Sequence, residues 1–241
     1  MRRRSAAGAY KKIGEESLVE AADSHELVSV LFRELLSSLS TAEDHFETGD
    51  LVSMRNKIKS FNFKSDFTII EHTINKGKGA CIKTAKKHIN GDIVLIQDAD
   101  LEYSPDDYLD LIKPIIKKKT NVVYGSRVLG KNRYVNKRFT SILRIFFNHV
   151  LTIISNFLNN QKLTDAHTCY KVFRREVFDK VILVENDFSF CPEITSKISK
   201  LKEEIIEIPI KYKGRSYKEG KKIKFIDGIK ALIVLFKYGI R

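Results

Sequence analysis

The stretch Gly91-Asp-Ile-Val-Leu-Ile-Gln-Asp-Ala-Asp-Leu-Glu-Tyr103 is a short apolar run that ends in three acidic side chains. Its central part, Ile93–Ile96, predicts a buried strand of a parallel sheet, because the run is continuous and β-branched rather than alternating. Ligands of open α/β sheets bind beyond the carboxyl ends of such strands. The stretch therefore predicts an α/β fold with a binding crevice directly after Ile96.

The acidic residues Asp98, Asp100 and Glu102 follow this strand at every second position. Alternate residues of an extended segment share one side, so we expect the three carboxylates to project together. Oxygen ligands at this spacing suit Mg²⁺ or Mn²⁺ held jointly with a substrate diphosphate. The alternative is an acidic loop in front of the next helix, which Ser104 and Pro105 are well suited to begin.

Residues 67–71 predict a short β-branched strand, and residues 207–212 predict a late strand. The turn Asn75-Lys-Gly-Lys-Gly79 precedes the strand at Ile93–Ile96 and opens a predicted helix that runs to about residue 88. Its glycines would let backbone amides approach a ligand, and its lysines add positive charge at a helix N-terminus, where phosphate binds favourably. A simple tight turn fits the pattern as well. The candidate phosphate-binding residues are Lys76, Gly77, Lys78 and Gly79.

Composition describes an ordinary globular protein of 241 residues, with 43% hydrophobic and 30% charged residues. The three cysteines lie far apart without a CxxC spacing, which argues against a disulfide framework or a zinc site and favours a reducing cytoplasm. The first residues lack the apolar core of a signal peptide, and no apolar stretch reaches the roughly 18 residues of a spanning helix.

The net charge of +13 is concentrated in residues 59–241, because residues 1–58 hold slightly more acidic than basic side chains. A basic surface of this kind fits nucleic acid, an anionic membrane or a polyphosphate ligand. Nucleic acid is disfavoured, because no helix-turn-helix, zinc-finger or RNA-binding aromatic signature accompanies the charge.

The two ends of the chain predict helices. Residues 10–58 predict a helical hairpin, with Ser24 capping the first helix and Asp50 the second, so we expect a helical unit at 1–58 and an α/β domain at 59–241. The hairpin would pack on its neighbour or dimerise. Residues 139–158 form an amphipathic segment too polar to span a bilayer, and 226–238 form a second one that could lie on a membrane surface.

Six motifs follow one another in residues 75–194: Asn75-Lys-Gly-Lys-Gly79, Gly91-Asp92, Gln97-Asp-Ala-Asp-Leu-Glu102, Tyr124-Gly-Ser-Arg127, Leu163-Thr-Asp-Ala-His-Thr-Cys-Tyr-Lys-Val-Phe173 and Phe190-Cys-Pro-Glu-Ile194. In this order they resemble family 2 glycosyltransferases, most closely the branch of dolichyl-phosphate mannose synthases and polyprenyl-phosphate glucosyltransferases. The resemblance covers about residues 60–241. It implies a Rossmann-like, nucleotide-sugar-binding fold.

The resemblance implies transfer of a hexose from a nucleotide diphosphate sugar to a polyprenyl phosphate, with inversion, by a protein held peripherally at the cytoplasmic face of a membrane. It places Asp98, Asp100 and Glu102 at the site of Mg²⁺ or Mn²⁺. It places Asp165 near the reacting sugar and acceptor. Basic residues that would contact phosphate or close over the substrates are Arg127, Arg133, Arg138, Arg215 and Lys218.

Other residues of the same motifs have competing interpretations. His167 is expected to be a loop residue rather than a base, and Cys169 and Tyr170 are expected to pack. Glu193 either lies near the acceptor or caps a helix. For 139–158, an interfacial helix near the lipid acceptor and an ordinary core helix are both open.

Two departures accompany this resemblance. The Pro-x-Tyr-Asn-Glu and Asp-Asp-Gly-Ser turns that begin the family's fold are absent, which predicts a truncated domain with an exposed apolar sheet edge. Residues 9–32 and 48–51 resemble instead the start of flagellin export chaperones. The alternative function is therefore a flagellin-binding or assembly module, contacting flagellin or a second copy through residues 10–58, with a vestigial enzyme behind it. A nucleotidyltransferase is a third possibility, against which the motifs at 163–173 and 190–194 argue.

Overall fold

The computed structural model describes residues 28–29, 68, 70, 72–98, 102–129, 139–214 and 225–239. The strands in these ranges are β1 (Val28–Ser29), β2 (Ile93–Ile96), β3 (Val122–Ser126), β4 (Lys171–Arg174) and β5 (Ile205–Pro209). The helices are α1 (Lys78–Lys86), α2 (Tyr108–Ile116, after a 3-10 turn at Pro105–Asp107), α3 (Phe139–Asn159), α4 (Arg175–Lys180), α5 (Phe190–Lys200) and α6 (Phe225–Gly239).

The strands form one sheet in the order β1-β2-β4-β3-β5. All of them are parallel except β4, which pairs antiparallel with both β2 and β3. The carboxyl ends of β2, β3 and β5 therefore meet the amino end of β4 at one margin of the sheet, which we call the site edge. The prediction of a parallel sheet was wrong at β4, because the chain enters this strand at the site edge and runs antiparallel to β2 and β3.

The core confirms the strand prediction at Ile93–Ile96, where every residue is buried. β3 is likewise buried along its whole length, and Val123 lies opposite Val172 of β4. On one side of the sheet, α2 contributes Leu111 and Ile115, both fully buried. The α2 prediction is also confirmed at its start, where the Ser104 hydroxyl accepts the backbone N–H of Asp106 at 3.4 Å.

The N-terminal part contradicts the predicted helix at the two residues that are described. Val28 and Ser29 form strand β1, which pairs in parallel with Ile93 and Val94. The unpaired N–H and C=O groups of a sheet edge favour an added strand, and here they outweigh the helical spacing of the apolar residues. The edge that was expected to be exposed is thus covered at these positions. The rest of the predicted hairpin lies outside the described residues.

Two further strand predictions need correction. Thr68 and Ile70, the described residues of the strand expected at 67–71, are not in a strand. β5 occupies Ile205–Pro209 rather than 207–212, because its ladder partner β3 ends at Ser126. Beyond it, Tyr212 forms an isolated antiparallel bridge with Tyr103.

The helices α3, α5 and α6 pack on one another. α3 and α6 pack through Leu151, Ala231 and Leu235, and α5 contacts both helices. The 139–158 and 226–238 predictions of amphipathic helices are confirmed. Within the described residues, none of the helices combines the length and apolarity needed to cross a membrane.

Candidate functional site

The first pair of charges at the site edge joins α1 to β2. Lys78 lies in the first turn of α1, and its Nζ is 2.7 Å from Oδ1 of Asp98, which follows β2. The same Nζ donates to the Cys169 thiol at 3.4 Å. Burial alone would lower the pKa of Lys78, but the adjacent Cys169 and Asp98 raise it well above its ordinary value. The Lys78 ammonium is therefore held against Asp98, the first acidic residue of the Gln97–Glu102 motif.

The second pair joins the end of β3 to the loop before β4. Arg127 donates from Nε to Oδ2 of Asp165 at 2.6 Å and from Nη2 to Oδ1 at 2.7 Å. The backbone N–H of Arg127 also donates to Oδ2 at 3.1 Å. Both carboxylate oxygens of Asp165 are thus occupied by Arg127. Cys169 belongs to the same loop as Asp165, so it connects this pair to Lys78.

Glu207 of β5 holds the loop that contains Asp165 through hydrogen bonds. Its carboxylate accepts the backbone N–H of Thr164 at 2.7 Å and that of Asp165 at 2.9 Å. It also accepts the Thr164 hydroxyl at 2.9 Å. On another side, Asn156 of α3 exchanges hydrogen bonds with the backbone of Leu163. The loop therefore has few degrees of freedom, and it presents Asp165 to Arg127 in one geometry.

Three tyrosines line the space beside these pairs. The Tyr212 ring lies 5.2 Å from the Arg127 guanidinium carbon, and its hydroxyl donates to the Glu102 carboxylate at 2.9 Å. The Tyr103 ring packs against both Tyr170 and Tyr212. The Tyr103 hydroxyl accepts the backbone N–H of Cys169 at 3.0 Å. The Tyr212 ring gives the guanidinium an aromatic neighbour, which suits a cation that must be held with little water.

Lys171, the first residue of β4, is a fully buried cation behind the site. Its Nζ donates to the Ala166 carbonyl at 2.9 Å and lies 3.8 Å from the centre of the Tyr124 ring. Burial lowers the pKa of Lys171 to about 8. Burial and the nearby Lys171 lower the pKa of His167 to about 4, so its imidazole is neutral near pH 7.

The glycine turn has a different structural role from the one predicted. Gly77 has a φ of 90°, and a side chain at Gly77 or Gly79 would overlap the backbone of residues 185–187. The Ala80 N–H donates to the Asn186 carbonyl at 2.9 Å. The glycines therefore admit a neighbouring loop, and the approach of the turn's own backbone amides to a ligand stays a prediction. Phosphate binding by Lys76 and Lys78 stays a prediction.

Glu193, at the start of α5, is fully buried and organises that same loop. Its carboxylate accepts the backbone N–H groups of Val184 at 2.6 Å and Glu185 at 2.9 Å, and the Lys197 ammonium at 2.5 Å. The amides that Glu193 accepts belong to the loop before α5 and not to the first turn of that helix, so these contacts are not those of a helix cap, and a position near the acceptor stays a prediction. The residue thereby helps to fix the segment on which the glycine turn rests.

The structure brings some of the predicted site residues together and leaves others outside its description. Lys78, Asp98, Arg127 and Asp165 converge at the site edge. Glu102 is buried beside Tyr212, and Lys76 is exposed. The described residues contain no group of three side chains placed to hold a metal ion. The predicted residues outside the described ranges are Asp100, Arg133, Arg138, Arg215 and Lys218.

Several residues of the site were not predicted from the sequence to have these contacts. Lys171 was quoted only as part of a motif, and Cys169 was expected to pack rather than to contact Lys78. Glu207 and Tyr212 were placed on a late strand without a role. Lys171 had no clear signal in the sequence, because it begins a four-residue strand that has a charged residue at each end.

A family model described as glycosyl transferase family 2 matches residues 46–182, more than half of the chain. The chain belongs to this family. The match begins inside the segment that was predicted to be helical, and the domain boundary at residues 58–59 stays a prediction.

This family 2 chain is similar to two curated relatives whose names include dolichyl phosphate. It is 29% identical over 180 residues to dolichyl-phosphate beta-glucosyltransferase ALG5A of Trichomonas vaginalis, a match that covers 71% of this chain and 53% of the relative. It is 28% identical over 178 residues to the UDP-N-acetylglucosamine--dolichyl-phosphate N-acetylglucosaminyltransferase of Methanococcus voltae, covering 70% and 69%. The chain thus spans about half the length of the first of these proteins.

Among solved structures, glucosyl-3-phosphoglycerate synthase from Mycobacterium tuberculosis in complex with phosphoglyceric acid superposes with a TM-score of 0.50 at 14% identity. The superposition covers 70% of this chain and 58% of that one. It supports the predicted glycosyltransferase fold. The resemblance to flagellin export chaperones finds no support in these relatives, and neither does the flagellin-binding alternative.

Proposed function

We propose that this family 2 glycosyltransferase moves a hexose from a nucleotide diphosphate sugar to a polyprenyl phosphate. The observation that carries the proposal is the meeting of two ion pairs, Lys78–Asp98 and Arg127–Asp165, at the carboxyl edge of the sheet. A donor diphosphate and an acceptor phosphate are both anions, and the two cations offer each of them a counter-charge. The relatives named for dolichyl phosphate support the same substrate classes.

The reaction fits direct displacement. An oxygen of the acceptor phosphate forms a bond to the anomeric carbon while the bond from that carbon to the diphosphate oxygen breaks, and the configuration inverts. Negative charge grows on the leaving diphosphate, where Lys78 and Arg127 would neutralise it. Arg133, Arg138, Arg215 and Lys218 remain candidates for the same task.

Asp165 is proposed as a positioning residue that acts through Arg127. Burial would raise the pKa of Asp165, but the Arg127 guanidinium lowers it below its ordinary value, so the group is a weak base. A phosphate monoester is already anionic near neutral pH and needs little help from a base. Asp165 would therefore aim Arg127 at a phosphate group while Glu207 holds the loop in place.

A divalent cation, Mg²⁺ or Mn²⁺, is proposed at Asp98 with Asp100 and Glu102. Asp98 fits this role, because it follows β2 at the site edge and its side chain is 30% exposed. Glu102 fits less directly, because it is buried and accepts the Tyr212 hydroxyl. When bound, such an ion supplies positive charge to the departing diphosphate.

The apolar side of α3 and α6 is proposed to rest on the cytoplasmic face of a membrane. Phe157 is 85% exposed, and Ile153, Ile233 and Phe236 are also exposed on these two helices. Asn156 of the same α3 helix bonds to Leu163 in the Asp165 loop. A lipid surface against α3 would therefore lie close to the loop that serves the acceptor phosphate.

The test is a transfer assay with the purified chain. UDP-glucose, GDP-mannose and UDP-N-acetylglucosamine are each incubated with a polyprenyl phosphate and Mn²⁺, and the lipid-linked sugar is detected by mass spectrometry. Calorimetric titration of each nucleotide sugar reports donor binding separately. Asp98→Asn should abolish transfer, whereas Asp106→Asn, at an exposed carboxylate that pairs with Lys211 and not with Lys78 or Arg127, should leave it unchanged. A folded chain that binds none of the donors would contradict the proposal.

A further inference from the structure

The side chain of Lys78 is held in the site by two contacts. Its ammonium lies 2.7 Å from Oδ1 of Asp98 and 3.4 Å from the sulfur of Cys169. Only 14% of the side chain is exposed, compared with 30% for Asp98. An ammonium so enclosed is not a solvated surface charge, and it gives Asp98 a permanent positive partner.

A divalent cation at Asp98 would compete with that partner. Two cations on one carboxylate repel each other at distances of a few ångströms, and the repulsion is weakly screened in a partly buried site. The incoming cation must therefore displace the ammonium from Oδ1 or bind with reduced affinity. The residues present fit a metal at Asp98 only if the Lys78 ammonium can move away from the Asp98 carboxylate to another negatively charged partner.

The backbone of Lys78 cannot provide this movement. Its neighbours Gly77 and Gly79 are packed so closely on residues 185–187 that neither has room for a Cβ. Ala80 is bonded to the Asn186 carbonyl, and Lys83 of the next turn donates to the Val184 carbonyl at 2.7 Å. Displacement of Lys78 therefore has to occur by rotation of its flexible side chain.

An anion is the partner that would receive the displaced ammonium. The donor diphosphate brings that anion to the carboxyl edge of the sheet, within the region where Lys78 already lies. The lysine can exchange one negative partner for another without losing its charge or entering a dry environment unpaired. Binding of the diphosphate thus frees Asp98 for the metal.

We propose, on the basis of the proposed function, that Lys78 is an internal counter-ion of Asp98 that makes metal binding depend on the donor diphosphate. The metal binds weakly when no nucleotide is present. It binds tightly once a bound nucleoside diphosphate pairs with the Lys78 ammonium in place of Asp98. The two ligands therefore stabilise each other's binding, and the effect is reciprocal. Lys78 is a positioning residue in this scheme, and no bond is made or broken by it.

The experiment is a Mn²⁺ titration followed by electron paramagnetic resonance of the free ion, with and without saturating UDP or GDP. We expect the wild type to bind Mn²⁺ weakly alone and more tightly with the nucleotide. Lys78→Met should bind Mn²⁺ alone about tenfold more tightly than the wild type, in the range of typical coupling effects. Its affinity should then depend much less on nucleotide. Lys78→Gln, which keeps a hydrogen-bond donor without the charge, should behave in the same way.

The controls separate charge at Lys78 from charge in general. Lys87→Met removes an exposed lysine at the opposite end of α1 from Lys78 and should leave both Mn²⁺ affinities unchanged. Asp98→Asn should lose Mn²⁺ binding in every background. Thermal unfolding of each variant establishes that it is folded. If Lys78→Met does not fold, the comparison rests on Lys78→Gln.

The outcomes distinguish this inference from the proposed function. An unchanged or weaker affinity for Mn²⁺ alone in the folded Lys78 variants, beside a wild type that binds Mn²⁺ with nucleotide, would overturn the inference and leave the donor site intact. If neither the wild type nor any variant binds Mn²⁺ even with saturating UDP or GDP, the proposed metal-dependent function is contradicted, and so is the inference that rests on it.

Discussion

The guanidinium of Arg127 makes a two-point ion pair with the carboxylate of Asp165, and the backbone N–H of Arg127 adds a third hydrogen bond. Asp165 is 3% exposed, so the pair has left water almost completely. Removal of one partner leaves the other charge buried without its counter-charge. Such a loss typically costs about 3–5 kcal/mol, whereas replacing both charges with apolar groups costs much less.

We therefore expect Arg127→Met and Asp165→Leu to lower the free energy of unfolding by about 3 kcal/mol each. The double variant should lose clearly less than the sum of the two, because neither charge then remains unpaired. Urea unfolding followed by circular dichroism measures all four proteins of the cycle.

The matched control is the exposed ion pair of Arg175 and Asp179, at 3.3 Å on α4. Arg175→Met should change the free energy of unfolding by no more than about 0.5 kcal/mol, because exposed pairs contribute little. Strict additivity of Arg127→Met and Asp165→Leu would show that the buried pair does not act as a unit.

The glycine turn offers a second test, in which two glycines should respond with opposite signs. A Cβ at Gly79 would overlap the carbonyl oxygen of Glu185, and this backbone cannot move without disturbing the contacts of Glu193. Gly79→Ala should therefore destabilise the fold by about 1–3 kcal/mol, the usual cost of overpacking. Differential scanning calorimetry would show a lower melting temperature.

Gly228 is the control for this substitution, because it lies inside α6 and a Cβ added there would meet no other atom within 4 Å. Gly228→Ala should raise stability by about 0.5–1 kcal/mol through helix propensity alone. Equal melting temperatures for Gly79→Ala and the wild type would contradict the tight packing of the turn on residues 185–187.

Much of the fold could be predicted from apolar runs and helix signals. Ile93–Ile96 was predicted at the correct residues, because an apolar run this short and rich in β-branched residues favours a buried strand over a buried helix. The helices α2, α3 and α6 followed from capping residues and periodicity. The strand at Val28–Ser29 could not be predicted, because its cause is the free edge of β2 and not its own sequence.

The identity of the charged site residues could be predicted from the motifs, but the pairing of these residues with one another could not. Asp98, Arg127 and Asp165 were all expected at the site. That Arg127 pairs with Asp165 depends on the antiparallel insertion of β4, which brings the loop before it to the ends of β2 and β3. Sequence spacing alone contains no information about that insertion.

The buried Lys171 makes the free energy of unfolding depend on pH in the alkaline range. Burial lowers its pKa from 10.5 to about 8 in the folded chain, so between about pH 8 and 10.5 the unfolded chain binds a proton that the folded chain has released. Stability contributed by this group therefore rises with pH across that window and is lost as the pH falls through 8. Relative to Lys171→Met, the wild type should gain roughly 1–3 kcal/mol between pH 7.5 and pH 10.5.

The measurement is urea unfolding of both proteins across this pH range, so that titrations common to the two cancel in the difference. Lys76→Met, at an exposed lysine, should track the wild type at every pH. A constant gap between the wild type and Lys171→Met would show that the Lys171 ammonium is not lost from the folded chain near pH 8.

The exposed side of α3 and α6 leads to the last prediction, which concerns membrane binding. Phe157 is 85% exposed, so its replacement by a charge should cost the fold no more than about 0.5 kcal/mol. Insertion of the ring into a lipid interface would be lost, however, and a carboxylate would be repelled by anionic headgroups. Phe157→Glu should therefore reduce cosedimentation with phosphatidylglycerol-containing vesicles several-fold. Leu109→Glu, on α2, should bind as the wild type does. Equal binding by Phe157→Glu and the wild type would show that another surface contacts the membrane.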